Sequence, residues 1–339
     1  MTSIRTSAPG KLFLLGEYAV LGGAPALLTA VNQRVIVHAK EATSWTLTAE
    51  GIGVDALELG PHGALPVDLS EPVAQRLALV DFVRDHVARS YDSPGPALEL
   101  RIDSSSFQND GHKLGLGSSA AVAVALTAAL CSARGGELEL DTVFSLAEAA
   151  HKAAQGGSGS GGDVATSVHG GVMTYSRHGT AMPIVVPVEW PTELTVFAVS
   201  TGSGSSTVEL VGRVNDYQSR DPGGFRLDLE RLARLAESAT EALASPATFL
   251  TLVDDYFHAL ESLDHHSGAG IVTPRHHEFR TLAAASGAVF KPSGAGGGDL
   301  GLVFAKLGGA ETLHSAFTEA GAHVIPLPTS SDGVRVEQS

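Results

Sequence analysis

Lys113-Leu-Gly-Leu-Gly-Ser-Ser-Ala-Ala121 places a lysine, two glycines and two serines at a predicted strand-to-helix junction. Glycines let a backbone approach a ligand closely. The first amides of a helix, at the positive end of its dipole, suit phosphate oxygens. Ser118 and Ser119 could also simply cap the helix. The fragment Gly115 to Ala120 fits the dinucleotide fingerprint G-x-G-x-x-A, which is weak by itself. The acidic residues in range, Glu137 and Glu139, sit in a Gly-Gly-Glu-Leu-Glu turn. No lysine follows the last glycine, so the stretch is not a Walker A loop.

A second stretch, Lys291-Pro-Ser-Gly-Ala-Gly-Gly-Gly-Asp299, spends four glycines in nine residues. That composition costs backbone entropy without hydrophobic return. Exposed amides and close approach to a ligand explain it better than a surface turn does. Asp163 closes a third glycine run that begins at Gly156; alone, an aspartate in a loop is usually a cap or solvated. Ser205-Ser-Thr207 opens a helical pattern, where hydroxyls and amides suit an anion and simple N-capping competes as an explanation. The histidine pairs His265-His266 and His276-His277 lack the H-E-x-x-H spacing or a partner cysteine of a metal site, and no G-x-S-x-G elbow suggests a serine hydrolase.

These residues need elements to hold them. Leu12–Leu15, Ala26–Ala30 and Gln33–Ala39 read as strands of an opening sheet. Val73–Ala88 has helical spacing on one apolar face. Leu98–Ile102 reads as a strand leading into the central glycine motif. Ser118–Ala133, rich in alanine and apolar nearly all round, reads as a buried helix. Asp141 is the expected N-cap of a helix running to about Gln155, and Val164–Tyr175 looks strand-like. From about Pro187 the pattern changes. A strand at Glu193–Ser200 precedes helices at Val208–Gln218, Leu227–Ala244, Pro246–Leu263 and Thr273–Ser286. Strands within Ala288–Ala305, a helix at Glu311–Ala320 and a strand at His323–Pro326 close an α+β half.

The chain has 339 residues, 43% hydrophobic and 17% charged, which suits one large or two medium folded domains. Its single cysteine, Cys131, rules out an internal disulfide framework and reads as a buried thiol. With 22 Lys and Arg against 37 Asp and Glu, the net charge of −15 opposes non-specific attraction to nucleic acid or anionic lipid. An anionic ligand must be held by local groups against that field. No apolar run approaches the roughly 20 residues of a membrane span, and the first residues lack the apolar stretch of a signal peptide. A soluble cytoplasmic protein without nucleic-acid or membrane partners, monomeric or homodimeric, is the expectation.

Taken together and in order, Ala8-Pro-Gly-Lys-Leu-Phe-Leu-Leu-Gly-Glu17, Gly115 to Ala121 and Lys291 to Asp299 resemble the three motifs of the GHMP kinases, which phosphorylate small metabolites with ATP. Within that family the pattern is most similar to the phosphomevalonate kinases. Leu146 to Gly156 and Gly157 to Ala165 resemble the stretch around their active-site aspartate, while Tyr18 stands where mevalonate kinases usually have histidine. Gly157 and Gly162 depart from the phosphomevalonate kinase pattern. The resemblance implies an α+β, two-domain GHMP kinase fold: an N-terminal ATP-binding α/β domain over residues 1–186 and a C-terminal ferredoxin-like α+β domain over 187–339.

It further implies catalytic roles for Lys11 and Asp163, and ATP binding by Lys113, Gly115, Leu116, Gly117, Ser118, Ser119 and Ala120. Substrate binding falls to Lys11, Glu17, Tyr18, Ser160, Ser206, Thr207, Gly294, Ala295 and Gly296. Mg²⁺ is the implied cofactor, with Ser119 as its hydroxyl ligand. Its carboxylate partner stays open between Glu148 and Glu17, because His151 and Lys152 occupy the positions where mevalonate kinases supply glutamate. The expected reaction is MgATP-dependent phosphorylation of 5-phosphomevalonate. Mevalonate kinase or another small-molecule kinase of the family is the nearest alternative, mevalonate diphosphate decarboxylase the one from another enzyme class, and a dinucleotide-binding module the non-catalytic one.

Overall fold

Ile4, Thr6, Ala8, Gly10, Leu12 and Leu14, at every second position of the amino-terminal strand, make a side that is buried throughout. The structure is a computed structural model that describes residues 3–93, 95–109, 112–157, 159–202, 204, 206–298, 300–327 and 332–338. In chain order come strands β1 (Ser3–Leu15), β2 (Ala26–Glu41), β3 (Thr46–Ala49) and β4 (Val54–Glu58), then helix α1 (Glu71–Arg89). Strands β5 (Leu98–Asp103), β6 (Gln108–Asn109) and β7 (His112–Lys113) lead to helices α2 (Ser118–Ser132), α3 (Leu140–Ala154) and α4 (Gly162–His169). Strands β8 (Val172–Ser176), β9 (Ile184–Pro187) and β10 (Leu194–Ser200) follow. Helices α5 (Thr207–Arg220), α6 (Pro222–Glu237), α7 (Ala239–Ala242), α8 (Pro246–Ser267) and α9 (Pro274–Ala285) come next. Strands β11 (Val289–Ser293) and β12 (Leu300–Lys306), helix α10 (Ala310–Glu319), and strands β13 (His323–Pro326) and β14 (Arg335–Gln338) end the chain.

Two compact units emerge, and neither is contiguous in sequence. The first comprises the described residues within Met1–Lys11, Ala30–Gly171 and Ser330–Ser339; the second comprises Leu12–Thr29 and those within Val172–Thr329. The boundary expected after residue 186 falls at the end of β9, inside the second unit. Strands β1 and β2 each contribute residues to both units, which a division by sequence pattern does not reveal.

In the first unit the strand order is β14-β1-β2-β5-β3-β4. β5 pairs antiparallel with β2 and parallel with β3. Helix α2 packs against α1, α3 and α4. It is buried over nearly its whole length, as its alanine-rich, apolar surface requires. Thr6 Oγ1 donates to Ala125 O at 2.7 Å, anchoring β1 to this helix. In the second unit β2 residues Ala26–Thr29 pair antiparallel with β8, and β8 with β9. A separate antiparallel sheet runs β11-β12-β10-β13. Phe197, Phe257, Phe279, Phe290, Leu313 and Phe317 form the core between that sheet and α8, α9 and α10.

Several elements differ from the sequence reading. The two strands expected at 26–30 and 33–39 are the single β2. The residues between them, Val31 and Asn32, continue the strand instead of turning, and Arg34 just beyond is held in place by Ser7 and by the carbonyls of Asp332 and Gly333. Val164–His169 is helical, not extended: Gly161 is the N-cap at φ 82°, Ser160 Oγ accepts from Gly162 N, and Thr166 Oγ1 bonds back to Gly162 O. The small residues of α4 let it pack on α2 and α3. The N-cap of α3 is Glu139, and Asp141 lies inside the first turn, where its charge suits the dipole. The helix expected over Leu227–Ala244 is α6 and the short α7, and α6 starts earlier, at Pro222, capped by Asp221.

Cys131 is buried and free, and burial pushes its thiol pKa up. Among the described residues, no helix is long and apolar enough to cross a membrane.

Candidate active site

In the first unit, β1 delivers Lys11 to the central glycine loop. Lys11 N donates to Leu116 O at 2.8 Å, and Leu116 is buried beneath. Gly117 is the N-cap of α2 with φ 76°. A side chain there would meet Lys11 Cε at 3.1 Å and Cγ at 3.2 Å, so the glycine is what lets the lysine stem lie across the loop. The N-cap of α2 is thus a glycine, and Ser118 and Ser119 stand inside its first turn rather than at the capping position. Ser118 is half-buried and Ser119 exposed, one residue before the buried Ala120, and Lys113 is exposed on β7. The loop, the helix amino terminus and the lysine together form a cationic, amide-lined cradle of the kind that binds phosphate.

Behind the cradle stands a residue that the sequence reading did not place in the site. His151, buried on α3, has Nε2 3.0 Å from Ser119 Oγ and 3.2 Å from Gln155 Nε2. Its Nδ1 lies 3.8 Å from Asp163 Oδ2. Asp163 sits in the first turn of α4, with Oδ1 accepting from Val164 N at 2.9 Å. Its side chain is 24% exposed, which leaves the carboxylate reachable. The signal for His151 was present: with Val143, Phe144, Ala147 and Ala150 it completes the buried face of α3 at helical spacing.

The donor set fits a Mg²⁺ ion carried by a nucleotide better than a resident metal. Among the described residues, no group of three or more His, Cys, Asp or Glu side chains could hold a metal ion. Mg²⁺ commonly keeps several waters and takes few protein oxygens beside substrate phosphates. One exposed serine hydroxyl at a phosphate cradle suits that mode. Of the open carboxylates, Glu148 lies half-buried on α3. Glu17 is already matched to a cation of its own.

That cation is Lys291, in the second unit. Lys291 Nζ donates to Glu17 Oε1 at 2.5 Å, and both groups are buried. Burial raises the pKa of Glu17 against the opposing pull of Lys291, and lowers that of Lys291. Tyr256 OH donates to Glu17 O at 2.8 Å, and burial raises its pKa. The neighbouring Tyr18 adopts φ 61°, a left-handed conformation unusual for a bulky residue, and its OH donates to Ala295 O at 2.6 Å. Burial raises the Tyr18 pKa as well, so the phenol remains a donor.

The glycine stretch at 294–298 is fixed from its other side. Asp264 accepts from Gly270 N at 2.6 Å, Ile271 N at 2.7 Å and Val272 N at 3.1 Å. Ile271 O in turn accepts from Gly297 N at 2.9 Å. Gly296, at φ 83°, faces the same carbonyl so closely that a Cβ would collide with it. Tyr18, Gly294, Ala295 and Gly296 therefore form one braced segment. Ser206 caps α5 by accepting from Glu209 N at 3.3 Å, and Thr207 is exposed as its first residue. The capping explanation for this cluster is thus realised at Ser206, which stays exposed to solvent. Ser205, the other member expected to face an anion, and Asp299 lie outside the described residues.

One member of each histidine pair has a structural partner. His276 shares a capping box with Thr273 at the start of α9, and His266 Nδ1 lies 2.7 Å from Asp228 Oδ2.

Comparison with known proteins gives consistent matches over this frame. The model of the GHMP kinases N terminal domain matches residues 78–171. Phosphomevalonate kinase of Streptomyces sp. (strain CL190) is 32% identical, covering 96% of this chain and 97% of its own length. Mevalonate kinase of Thermococcus gammatolerans is 29% identical over 99% of this chain and 98% of its own length. Among solved structures, Streptococcus pneumoniae phosphomevalonate kinase in complex with phosphomevalonate and AMPPNP superimposes with a TM-score of 0.76 at 19% identity, covering all of both chains.

Proposed function

The chain belongs to the GHMP kinases, and from that premise we propose that it transfers the terminal phosphoryl group of ATP to 5-phosphomevalonate, giving mevalonate 5-diphosphate and ADP in the mevalonate pathway. The observation that carries the reading is the cradle at the start of α2, where the Lys11 stem crosses the N-cap Gly117. Phosphoryl transfer needs positioning and charge neutralisation far more than covalent chemistry. The cradle provides both.

In this reading Gly115 to Ala120 and Lys113 hold the ATP phosphates. Lys11 offsets charge on the transferring group, and Asp163 orients the acceptor. A phosphate monoester carries about −1.5 to −2 charge at pH 7. Most of its attacking oxygens therefore carry no proton, and Asp163 acts by orientation first and as proton acceptor second. An acceptor oxygen forms the new bond to the γ-phosphorus as the bond to the β,γ-bridging oxygen breaks, with ADP leaving. Bound beside Ser119, Mg²⁺ supplies charge neutralisation on the nucleotide phosphates. Ser160, beside Asp163 in the first unit, contributes its hydroxyl to the acceptor. Within the second unit, Glu17 and Lys291 brace the Tyr18 segment from behind.

Tyr18 and the Gly156–Ala165 stretch support phosphomevalonate as the acceptor, together with the 32% identical relative of that name. The second reading is mevalonate kinase, favoured by the 29% identity to the Thermococcus enzyme. Incubating the protein with MgATP and a panel of mevalonate, phosphomevalonate, homoserine and galactose, while following ADP release, tests both. ADP release stimulated by phosphomevalonate alone is the expected result. Release of CO₂ from mevalonate diphosphate, or no turnover with any acceptor, would contradict it.

A further inference from the structure

His151 offers an acceptor on one side and, on the other, faces the carboxylate of Asp163. The Gln155 amide is assigned with its nitrogen toward the ring, and an amide nitrogen can only donate, so His151 Nε2, 3.2 Å from Gln155 Nε2, is assigned as the acceptor. Of the two ring nitrogens, Nδ1 then carries the proton, and it is the nitrogen 3.8 Å from Asp163 Oδ2. A nitrogen without a proton cannot donate to Ser119. The 3.0 Å contact between them is therefore a hydrogen bond from the Ser119 hydroxyl to the ring. Ser119 Oγ consequently has its hydrogen committed inward and its lone pairs turned toward solvent at the exposed end of α2.

We infer that His151 is the positioning residue of the cation-facing hydroxyl: by holding the Ser119 hydrogen, it presents that oxygen as a pure acceptor to the divalent cation of the nucleotide. The inference rests on the kinase reading above. His151 is not itself a base in this arrangement. Gln155 already shares its only free lone pair, and the gap to Asp163 exceeds hydrogen-bond length. Burial on the packed face of α3 fixes the ring, so a free serine rotor becomes an oriented ligand. Outer-shell partners of this kind typically govern about 10- to 100-fold in metal affinity.

The test compares His151→Gln with His151→Leu. Glutamine places an oxygen where Nε2 stood and can accept the Ser119 hydroxyl; leucine is of similar size and cannot. Binding of the fluorescent nucleotide mant-ADP is titrated with MgCl₂ and with EDTA, and the enhancement by Mg²⁺ is read. Wild type and His151→Gln should keep the enhancement. His151→Leu should lose it by about 10-fold or more. Ser119→Ala should match that loss and add nothing further in the His151→Leu background, because contacting groups are not additive.

If the leucine variant does not fold, His151→Met serves in its place. Equal enhancement in leucine or methionine and glutamine variants, or full additivity with Ser119→Ala, would overturn the inference while leaving the kinase reading intact. Absence of any Mg²⁺ enhancement in wild type would instead overturn the reading on which it rests.

Discussion

Lys11 and Asp163 carry opposite charges within one unit, and the proposed reaction gives them the same step. Removing one preorganised electrostatic group typically lowers turnover by about 10²–10³. Lys11→Ala and Asp163→Asn should each lose that much in kcat, and the double variant should lose less than the product of the two. Strict multiplication of the losses in steady-state assays would mean that they act apart. The Glu17–Lys291 pair predicts a stability effect. Glu17→Gln leaves a buried ammonium without its counter-ion, which typically destabilises by about 3–5 kcal/mol. Glu17→Gln with Lys291→Met should recover most of that in thermal unfolding; no difference between single and double variants would contradict the pairing. The motif residues were legible in the sequence because their chemistry lies in consecutive positions. Lys291 as the partner of Glu17 was not, since 274 residues separate them and only the fold brings them together. In the motif His151 only stands in place of a glutamate; its position on a buried helix face is what brings it to Ser119.

The helix ends hold the site, and two of them give predictions. Gly117→Ala forces a side chain into a left-handed conformation and against the Lys11 stem, displacing the lysine that crosses the loop. Misplacement of about 1 Å can cost about 10² in rate, so kcat/KM for ATP should fall by about that factor with the fold retained. Unchanged ATP kinetics would show that the glycine is not needed there. At the start of α9, burial is the main reason that the pKa of His276 falls to about 4, with His277 and Lys291 adding positive charge nearby. The unfolded chain therefore binds a proton that the folded one refuses between about pH 6.5 and 4. Stability contributed by neutral His276 is present above pH 6.5 and is lost as pH falls through that window, by up to about 3 kcal/mol. His276→Gln should flatten this part of the pH profile of thermal unfolding; an equal slope in both proteins would contradict it. Long periodic elements such as α1 and α2 were legible within one or two residues. Val164–His169 was misread because its valines suggest a strand, whereas glycine capping and packing on α2 and α3 decide the local structure.

At the scale of the molecule, the net charge of −15 opposes a substrate that is itself an anion. Local cations must outweigh that field, and their pull on the acceptor is screened over about 8–10 Å at physiological salt. Rising salt should therefore raise the KM for phosphomevalonate; a KM independent of salt would contradict it. The order of the three motifs made the family legible, but not the discontinuous units, because β1 and β2 pass through both of them without a change in pattern. Nor do motifs alone decide between two acceptors that differ by one phosphate, because that choice depends on groups assembled from distant parts of the chain. A pocket built to pair a charged group leaves its own polar groups unpaired when that group is missing, and rejects the shorter analogue by roughly 10⁴ or more. The most direct test is kcat/KM measured side by side with phosphomevalonate and mevalonate under the same MgATP and salt. Preference for phosphomevalonate by about 10⁴ or more is the predicted result; equal or greater efficiency with mevalonate would contradict the proposal and identify a mevalonate kinase.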